Sequence, residues 1–228
     1  MLLVTGGAGF IGSNVVAALN DAGRADVAVC DFLGNDGKWR NLAKRQLADI
    51  VPPAELMQWL AGRKLDAVVH LGAISETTAT DGDLVIETNF RLSMRLLDWC
   101  TANSVPFIYA SSASTYGDGE RGFRDDASLD SLKTLRPMNL YGWSKHLFDM
   151  AVVERVAKGG KMPPQWAGLK FFNVFGPNEY HKGTMMSVLA RRFDDIRSGR
   201  VVQLFKSLRD GIADGDQRRD FIHVDDVV

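Results

Sequence analysis

Leu2-Leu3-Val4-Thr5-Gly6-Gly7-Ala8-Gly9-Phe10-Ile11-Gly12 decides how this chain is read. An apolar run of strand type ends in a glycine turn, and Phe10, Ile11, Val15, Val16 and Leu19 then repeat at helical spacing. Strand, glycine turn and helix in that order suit a dinucleotide diphosphate. Gly6 allows the tight turn, Gly9 lets backbone N–H groups approach the phosphates, and Gly12 lets the helix pack closely on the strand. The positive end of the helix then faces the diphosphate. A glycine turn alone also opens helices in other α/β proteins, so the next strand matters. Val27-Ala28-Val29-Cys30 leads into Asp31, an acidic residue at a strand end that accepts hydrogen bonds from the adenosine ribose hydroxyls.

Strands and helices keep alternating beyond this unit. They predict an α/β fold with a doubly wound, Rossmann-like parallel sheet. Residues 1–172 form the expected dinucleotide-binding domain. Residues 173–228 supply a smaller, incomplete substrate-binding part, whose 217–228 stretch returns to the nucleotide domain.

Bulk properties narrow the function classes. The chain has 228 residues, enough to bury a real core. Its net charge of −1, with charges interspersed, offers no surface for nucleic acid. Cys30 and Cys100 lie in apolar patterns and read as reduced core residues of a cytoplasmic protein. No secretory signal is expected ahead of the first strand, and no apolar run approaches the roughly 20 residues that span a membrane. No metal-ligand cluster is expected.

After Asp31, the polar stretch Phe32 to Arg40 contains Lys38 and Arg40, cations placed to meet a 2′-phosphate and so to favour NADP. Asp31 opposes that by repulsion, and a solvated loop lysine is the plain alternative. Asn41 to Ile50 predicts a short helix passing into a weak strand, with Asp49-Ile50 beside the adenine. Pro52-Pro53-Ala54-Glu55 opens a helix carrying Leu56, Trp59 and Leu60. Asp66 to His70 is a strand ending in Leu71-Gly72-Ala73, small enough for backbone to pass the cofactor; His70 is a candidate catalytic imidazole that its apolar neighbours favour reading as a core residue with satisfied nitrogens. One long helix is expected from Asp83 to Ala102, with Asn89 inside it, and a strand at Pro106 to Ala110 delivers Ser111-Ser112. Residues 118–138 read as an irregular loop. Further helices are expected from Asn139 to Val156 and from Thr184 to Arg197, with a strand at Gly168 to Phe172 between them. Asp225 reads as the N-cap of a last helix.

Tyr141 and Lys145 lie four apart on one helix face. Taking hydride from an alcohol carbon requires a base for the hydroxyl proton, and a phenol with a pKa of about 10 is a weak one at neutral pH. A neighbouring ammonium and a positive nicotinamide both favour the phenolate, so Tyr141 is expected to titrate low. Ser112, at a strand end, can hydrogen-bond the same hydroxyl.

With these residues in this order, the chain resembles the extended short-chain dehydrogenase/reductases that act on nucleotide sugars. Gly6, Gly9, Gly12, Asp31, Ser112, Tyr141, Lys145 and the stretch Arg219-Asp220-Phe221-Ile222-His223-Val224 carry the likeness. Within that group it is most similar to the ADP-glycero-manno-heptose 6-epimerase family. Val4 to Asn14, Thr77-Thr78 with Asp81-Gly82, Asn139 to Asp149, and Phe172 to Pro177 through His181-Lys182-Gly183-Thr184-Met185 carry this closer likeness.

The resemblance implies an NAD(P)-dependent isomerase making a lipopolysaccharide heptose precursor, with NADP favoured and NAD possible as cofactor. Its partner is an ADP-heptose-type nucleotide sugar, and a homo-oligomer is expected. It implies Tyr141 as acid/base on one sugar face and Lys182 on the other, with Lys145 holding the nicotinamide ribose and Ser112 beside Tyr141. Phe10, Ile11, Phe32, Lys38, Asp49, Leu71, Gly72, Ala73, Ile74, Ser75, Asn89 and Val174 fall along the cofactor. Asn173, Thr184, Arg191, Phe205, Lys206, Ser207 and Arg219 fall along the sugar and diphosphate. Outside the resemblance, Lys182 reads as a solvated loop lysine.

Departures from the family pattern cluster at two places. Phe32 and Pro53 stand at the adenosine end where a polar residue and a lysine are common. Arg191 replaces a common histidine, and the stretch Leu208 to Asp216 enlarges a loop near the substrate. The family's chains run roughly another third longer. Ala113 and Ser114 occupy the positions where a dehydratase carries acid/base carboxylates, which disfavours elimination. A UDP-hexose 4-epimerase shares the first base and the cofactor site but not the His181-Lys182-Gly183 loop. A nucleotide-binding fragment without turnover is the remaining reading.

Overall fold

The computed structural model describes residues 1–204, 206–207 and 210–228. Among them, six parallel strands form one sheet in the order β3-β2-β1-β4-β5-β6. The strands are β1 (Leu2–Thr5), β2 (Val27–Cys30), β3 (Asp49–Val51), β4 (Ala67–His70), β5 (Phe107–Ser112) and β6 (Trp166–Phe171). The order reverses between β1 and β4, which leaves a crevice at their carboxyl ends. β1 is central, with Leu3 opposite both Ala28 and Val68.

Side chains alternate across a strand, so Leu3 and Val4 point to opposite faces. Leu3 joins one buried cluster, with Leu56 and Leu60 of α2 (Leu56–Leu60), Leu96, Leu97 and Cys100 of α4 (Leu92–Asn103), and Phe148 and Val152 of α6 (Leu140–Ala157). Val4 joins another, with Val16 of α1 (Phe10–Asp21), Val27, Val29 and Leu42. Cover on both faces explains why the strands are apolar runs rather than alternating ones. Cys30 and Cys100 are buried free thiols pushed up to about 12 by that burial.

Several local expectations change. The helix expected from Asp83 to Ala102 is interrupted: α3 (Gly82–Ile86) passes into a π turn at Glu87–Arg91 before α4. The helix expected near Asn41 is only a 3-10 turn, Lys38–Asn41, although the weak strand after it forms as β3. The irregular 118–138 stretch contains α5 (Leu129–Thr134), because the Ser128 side chain caps it through Ser131 N. α7 starts at Val188, where Ser187 caps it, and runs to Arg197; Thr184 belongs to the preceding 3-10 stretch Tyr180–Met185. The final turn, Val224–Asp226, is capped by His223 rather than by Asp225.

Beyond β6, β7 (Asn173–Phe175) and β8 (Phe221–His223) form a separate two-stranded parallel pair, with Val174 opposite Ile222. Val224 is fully buried after β8, and its Cγ1 lies against Gly176. Among the described residues no helix is long and apolar enough to cross a membrane.

Candidate active site

The glycine turn is closed by sterics. Gly6 has φ +68°, and a Cβ there would meet Gly72 N at 2.7 Å. A Cβ on Gly12 would lie 2.1 Å from Gly6 O, so helix, turn and β4 exit touch through bare backbone. Gly9 caps α1 in an extended conformation and offers no side-chain cap to the first amides of the helix. Leu71 N donates to Thr5 O at 3.1 Å and Gly72 N to Thr5 Oγ1 at 3.0 Å. The 71–75 segment therefore leaves β4 directly beside the turn. Phe10 and Ile11 start α1 at its mouth.

At the adenosine side, Asp31 Oδ2 accepts from Ala8 N at 2.9 Å and Asp31 Oδ1 lies 3.0 Å from Lys38 Nζ. The two opposing charges read from the sequence are thus one ion pair. Phe32 is exposed next to it. Asp49 is drawn elsewhere: its Oδ2 accepts from Trp59 Nε1 at 2.7 Å and its Oδ1 from Ile50 N at 2.9 Å. These residues fit a dinucleotide: close-packed glycine backbone, free helix amides, and a carboxylate and an ammonium at the end of β2.

The π turn gives Asn89 its place. Asn89 is 0% exposed; its Oδ1 accepts from Ile74 N at 2.8 Å, and its Nδ2 donates to Ile74 O at 2.9 Å and Ser144 Oγ at 3.0 Å. Both amide hydrogens are used, so Asn89 clasps the 71–75 segment from inside the helix. Ser144 Oγ donates onward to Tyr141 O at 2.7 Å.

A second line of polar groups runs from β1 to the same asparagine. Ser93 donates to Asn89 O at 2.7 Å, so it accepts from His70 Nε2 at 2.8 Å. His70 Nδ1 is then the acceptor for the Thr5 hydroxyl, 2.6 Å away. Burial first, and the Lys145 charge second, push His70 down to about 3. It is the satisfied core imidazole expected from its neighbours.

Tyr141, Lys145 and Asp149 stand one turn apart on α6, which Asn139 caps through Gly142 N at 2.8 Å. Lys145 is 4% exposed and donates to Ala110 O at 2.8 Å. Burial lowers its ammonium to about 8 against the opposing pull of Asp149. Asp149 accepts from Ser111 Oγ at 2.7 Å and pairs with Lys170 Nζ at 2.5 Å. The protein environment by itself raises the Tyr141 phenol, so the lowering expected from a positive nicotinamide works against burial. Burial dominates, the hydrogen-bonding Ser112 hydroxyl pulls the other way, and Asp149 adds to the rise. Ser112 ends β5 with its Oγ accepting from Ser114 N at 3.1 Å.

Lys182 is not a solvated loop lysine. Its Nζ lies 5.2 Å from the centre of the Phe10 ring, and burial lowers its ammonium while Glu179 opposes. The loop that carries it is pinned to the dinucleotide turn by Asn14 Nδ2 on Pro177 O at 3.0 Å and Asn178 Nδ2 on Ser13 Oγ at 3.1 Å. Asn41, Asn178 and Glu179 were not signalled by any local pattern; their contacts join distant parts of the chain.

The sugar-side residues are looser. Arg191 donates to Thr184 O at 3.3 Å, which joins two of them. Asn173 Nδ2 donates to Asp220 O at 2.9 Å, next to Arg219, whose exposed guanidinium turns to Arg218 O at 2.8 Å. Val174 is half-buried on β7. Lys206 is exposed, and Ser207 N donates to Asp214 Oδ1 at 2.6 Å. Phe205 lies outside the described residues, as do the first two residues of the Leu208 to Asp216 stretch. Among the described residues no cluster of His, Cys, Asp or Glu is arranged for a metal ion.

Residues 2–228 match the NAD dependent epimerase/dehydratase family. The chain is 44% identical over 232 residues to the ADP-L-glycero-D-manno-heptose-6-epimerase of Fusobacterium nucleatum, covering 100% of this chain and 69% of that protein. It is 46% identical to the enzyme of the same name from Nitratidesulfovibrio vulgaris, covering 100% of this chain and 70% of that one. The crystal structure of Helicobacter pylori ADP-L-glycero-D-manno-heptose-6-epimerase superposes with a TM-score of 0.79 at 29% identity, over 99% of this chain and 70% of that one.

Proposed function

Because this chain belongs to the NAD dependent epimerase/dehydratase family, we propose that it is the nucleotide-sugar epimerase that inverts C6 of an ADP-glycero-manno-heptose. Residues 1–172 hold the cofactor in this reading, and residues 173–228 meet the sugar nucleotide. When bound, a nicotinamide dinucleotide would supply reversible hydride acceptance at C6 and a positive ring charge that favours the Tyr141 phenolate.

The chain's own part is proton transfer and orientation. The C6 hydroxyl proton passes to the Tyr141 oxygen, with Ser112 hydrogen-bonding the same centre. On the other face the Lys182 ammonium gives a proton to the C6 oxygen as its C–H bond re-forms, and exchange with water resets both groups. The raised Tyr141 phenol means that burial alone does not make it a base; neighbouring positive charge has to supply that. Lys145, whose ammonium is anchored on Ala110 O, would hold the nicotinamide ribose in this reading. Asn173, Thr184, Arg191, Lys206, Ser207 and Arg219 form the sugar and diphosphate side of the proposal.

The observation that carries inversion is the placement of Lys182 over Phe10. It brings a second proton-transfer group to the dinucleotide turn from a loop separate from the helix of Tyr141. The preferred cofactor is NADP, because Lys38 neutralises Asp31 and supplies an ammonium for a 2′-phosphate.

The test follows the C6 configuration of ADP-D-glycero-D-manno-heptose by proton NMR with the purified protein. Conversion without added cofactor is expected. Absence of conversion, with NADP or NAD supplied, would remove the heptose reading.

A further inference from the structure

The loop between β7 and α7 holds a buried carboxylate that the proton transfers above do not use. Glu179 is 1% exposed. Its Oε1 accepts from Gly176 N at 3.3 Å and from Ser187 Oγ at 2.8 Å, and its Oε2 accepts from Ser187 N at 2.6 Å. Both ends of the 176–187 loop therefore close on one side chain. Ser187 also caps α7 through Ala190 N at 3.1 Å, so the same carboxylate sets where that helix begins.

Lys182 sits inside this closed loop, with its N donating to Glu179 O at 3.0 Å. The outer face of the loop is fastened to the dinucleotide turn. Besides the Asn14 and Asn178 bonds, Asn41 Nδ2 donates to Ala8 O at 3.0 Å and Asn178 O at 3.3 Å and reaches His181 Nδ1 at 3.4 Å. A neutral side chain suffices to cap a helix, and burying a carboxylate is unfavourable unless its charge is used. Lys182, inside the loop that this carboxylate closes, is the cation on which that charge can act. The Phe10 ring meets it from α1, Glu179 acts on it electrostatically from its own loop, and His181 is its neighbour and is itself influenced by Asp36 and Lys38.

We propose that Glu179 is the positioning residue of the second proton-transfer face, closing the loop around Lys182 and supplying the negative charge that holds its ammonium over Phe10. The proposal rests on Lys182 serving as that face's acid/base. Glu179 touches neither sugar nor cofactor and acts through Lys182. Burial draws protons away from Lys182, and Glu179 is the group that opposes this.

The experiment compares Glu179→Gln, Glu179→Asp and Lys182→Ala in the whole chain. It reads kcat and KM for C6 epimerisation, the pH profile, and the thermal midpoint. Glu179→Gln keeps the shape but not the charge. Its kcat is expected to fall about tenfold or more with KM little changed, and the Lys182 ionisation to move acid by about one pH unit. Glu179→Asp keeps the charge on a shorter arm, so kcat falls while the profile stays in place; this arm carries the test if the Gln variant does not fold. A uniform loss at every pH in the Gln variant, or an acid shift in the Asp variant, overturns the proposal. Normal turnover in Glu179→Gln beside an impaired Lys182→Ala removes Glu179 alone. Normal epimerisation in Lys182→Ala removes the reading of Lys182 itself.

Discussion

Lys38 Nζ lies 3.0 Å from Asp31 Oδ1, while the other oxygen of that carboxylate accepts from Ala8 N at 2.9 Å. The glycine turn, the acidic strand end and the following loop are therefore one charged unit. A 2′-phosphate arriving here meets a neutralised carboxylate, and a 2′-hydroxyl meets one whose acceptor sites are shared.

Replacing Lys38 by Ala is expected to weaken NADP binding by about tenfold or more, equivalent to ~1.4 kcal/mol, and to leave NAD binding equal or better. Calorimetric titration of the variant with both dinucleotides checks this. Equal losses for the two would mean that Lys38 shapes the loop without reading the phosphate.

Tyr141→Phe is expected to reduce epimerisation by about a thousandfold and to leave the dinucleotide bound. Ser112→Ala is the finer probe. The Ser112 hydroxyl is the group that lowers the Tyr141 phenol, so its loss raises the phenol further and moves the rise of activity to higher pH. The kcat–pH profile by NMR decides; a profile displaced toward acid would sever the two residues.

His70 sets a pH dependence of stability. Unfolded, it titrates near its ordinary value of 6.5; folded, burial holds it neutral down to about 3. Between those values the unfolded chain binds the extra proton, so stability is full above pH 6.5 and falls as the pH drops. The slope is at most about 1.4 kcal/mol per pH unit. Urea midpoints measured from pH 7 to pH 5 should fall in the wild type. His70→Asn should start less stable at pH 7 and show a shallower slope; an unchanged slope would assign the acid sensitivity elsewhere.

Asn89→Ala strips Ile74 of two hydrogen bonds and Ser144 of one. A loss of about 2 kcal/mol or more in unfolding free energy is expected, together with weaker dinucleotide binding. Denaturation with and without cofactor measures both. Unchanged binding beside lost stability would show that the 71–75 segment keeps its path without the clasp.

The glycine turn, Asp31 and the Tyr141–Lys145 face were legible because each rests on a short-range rule: a forbidden Cβ, a strand end, a helical spacing. Burial was not legible, and it opposes the lowering expected for the Tyr141 phenol. Nor were pairings between distant residues, such as the Trp59 indole on the Asp49 carboxylate. Glu179 and Asn41 carry no periodic signal. The break before α4 was hidden because Leu92, Leu96 and Leu97 keep a regular helical spacing of their own after it.

That break has a genetic reading. A π turn is a helix carrying one residue too many, an insertion retained in the chain. Deleting any single residue from 87 to 91 would restore an unbroken α-helix, but each residue advances the helix by about 100°. Either Asn89 would swing away from Ile74, or Leu96, Leu97 and Cys100 would rotate off the sheet. The two demands have incompatible phase in a regular helix, and the extra residue reconciles them. One-residue deletions here should be far less tolerated than substitutions at the exposed positions Glu87 and Arg91.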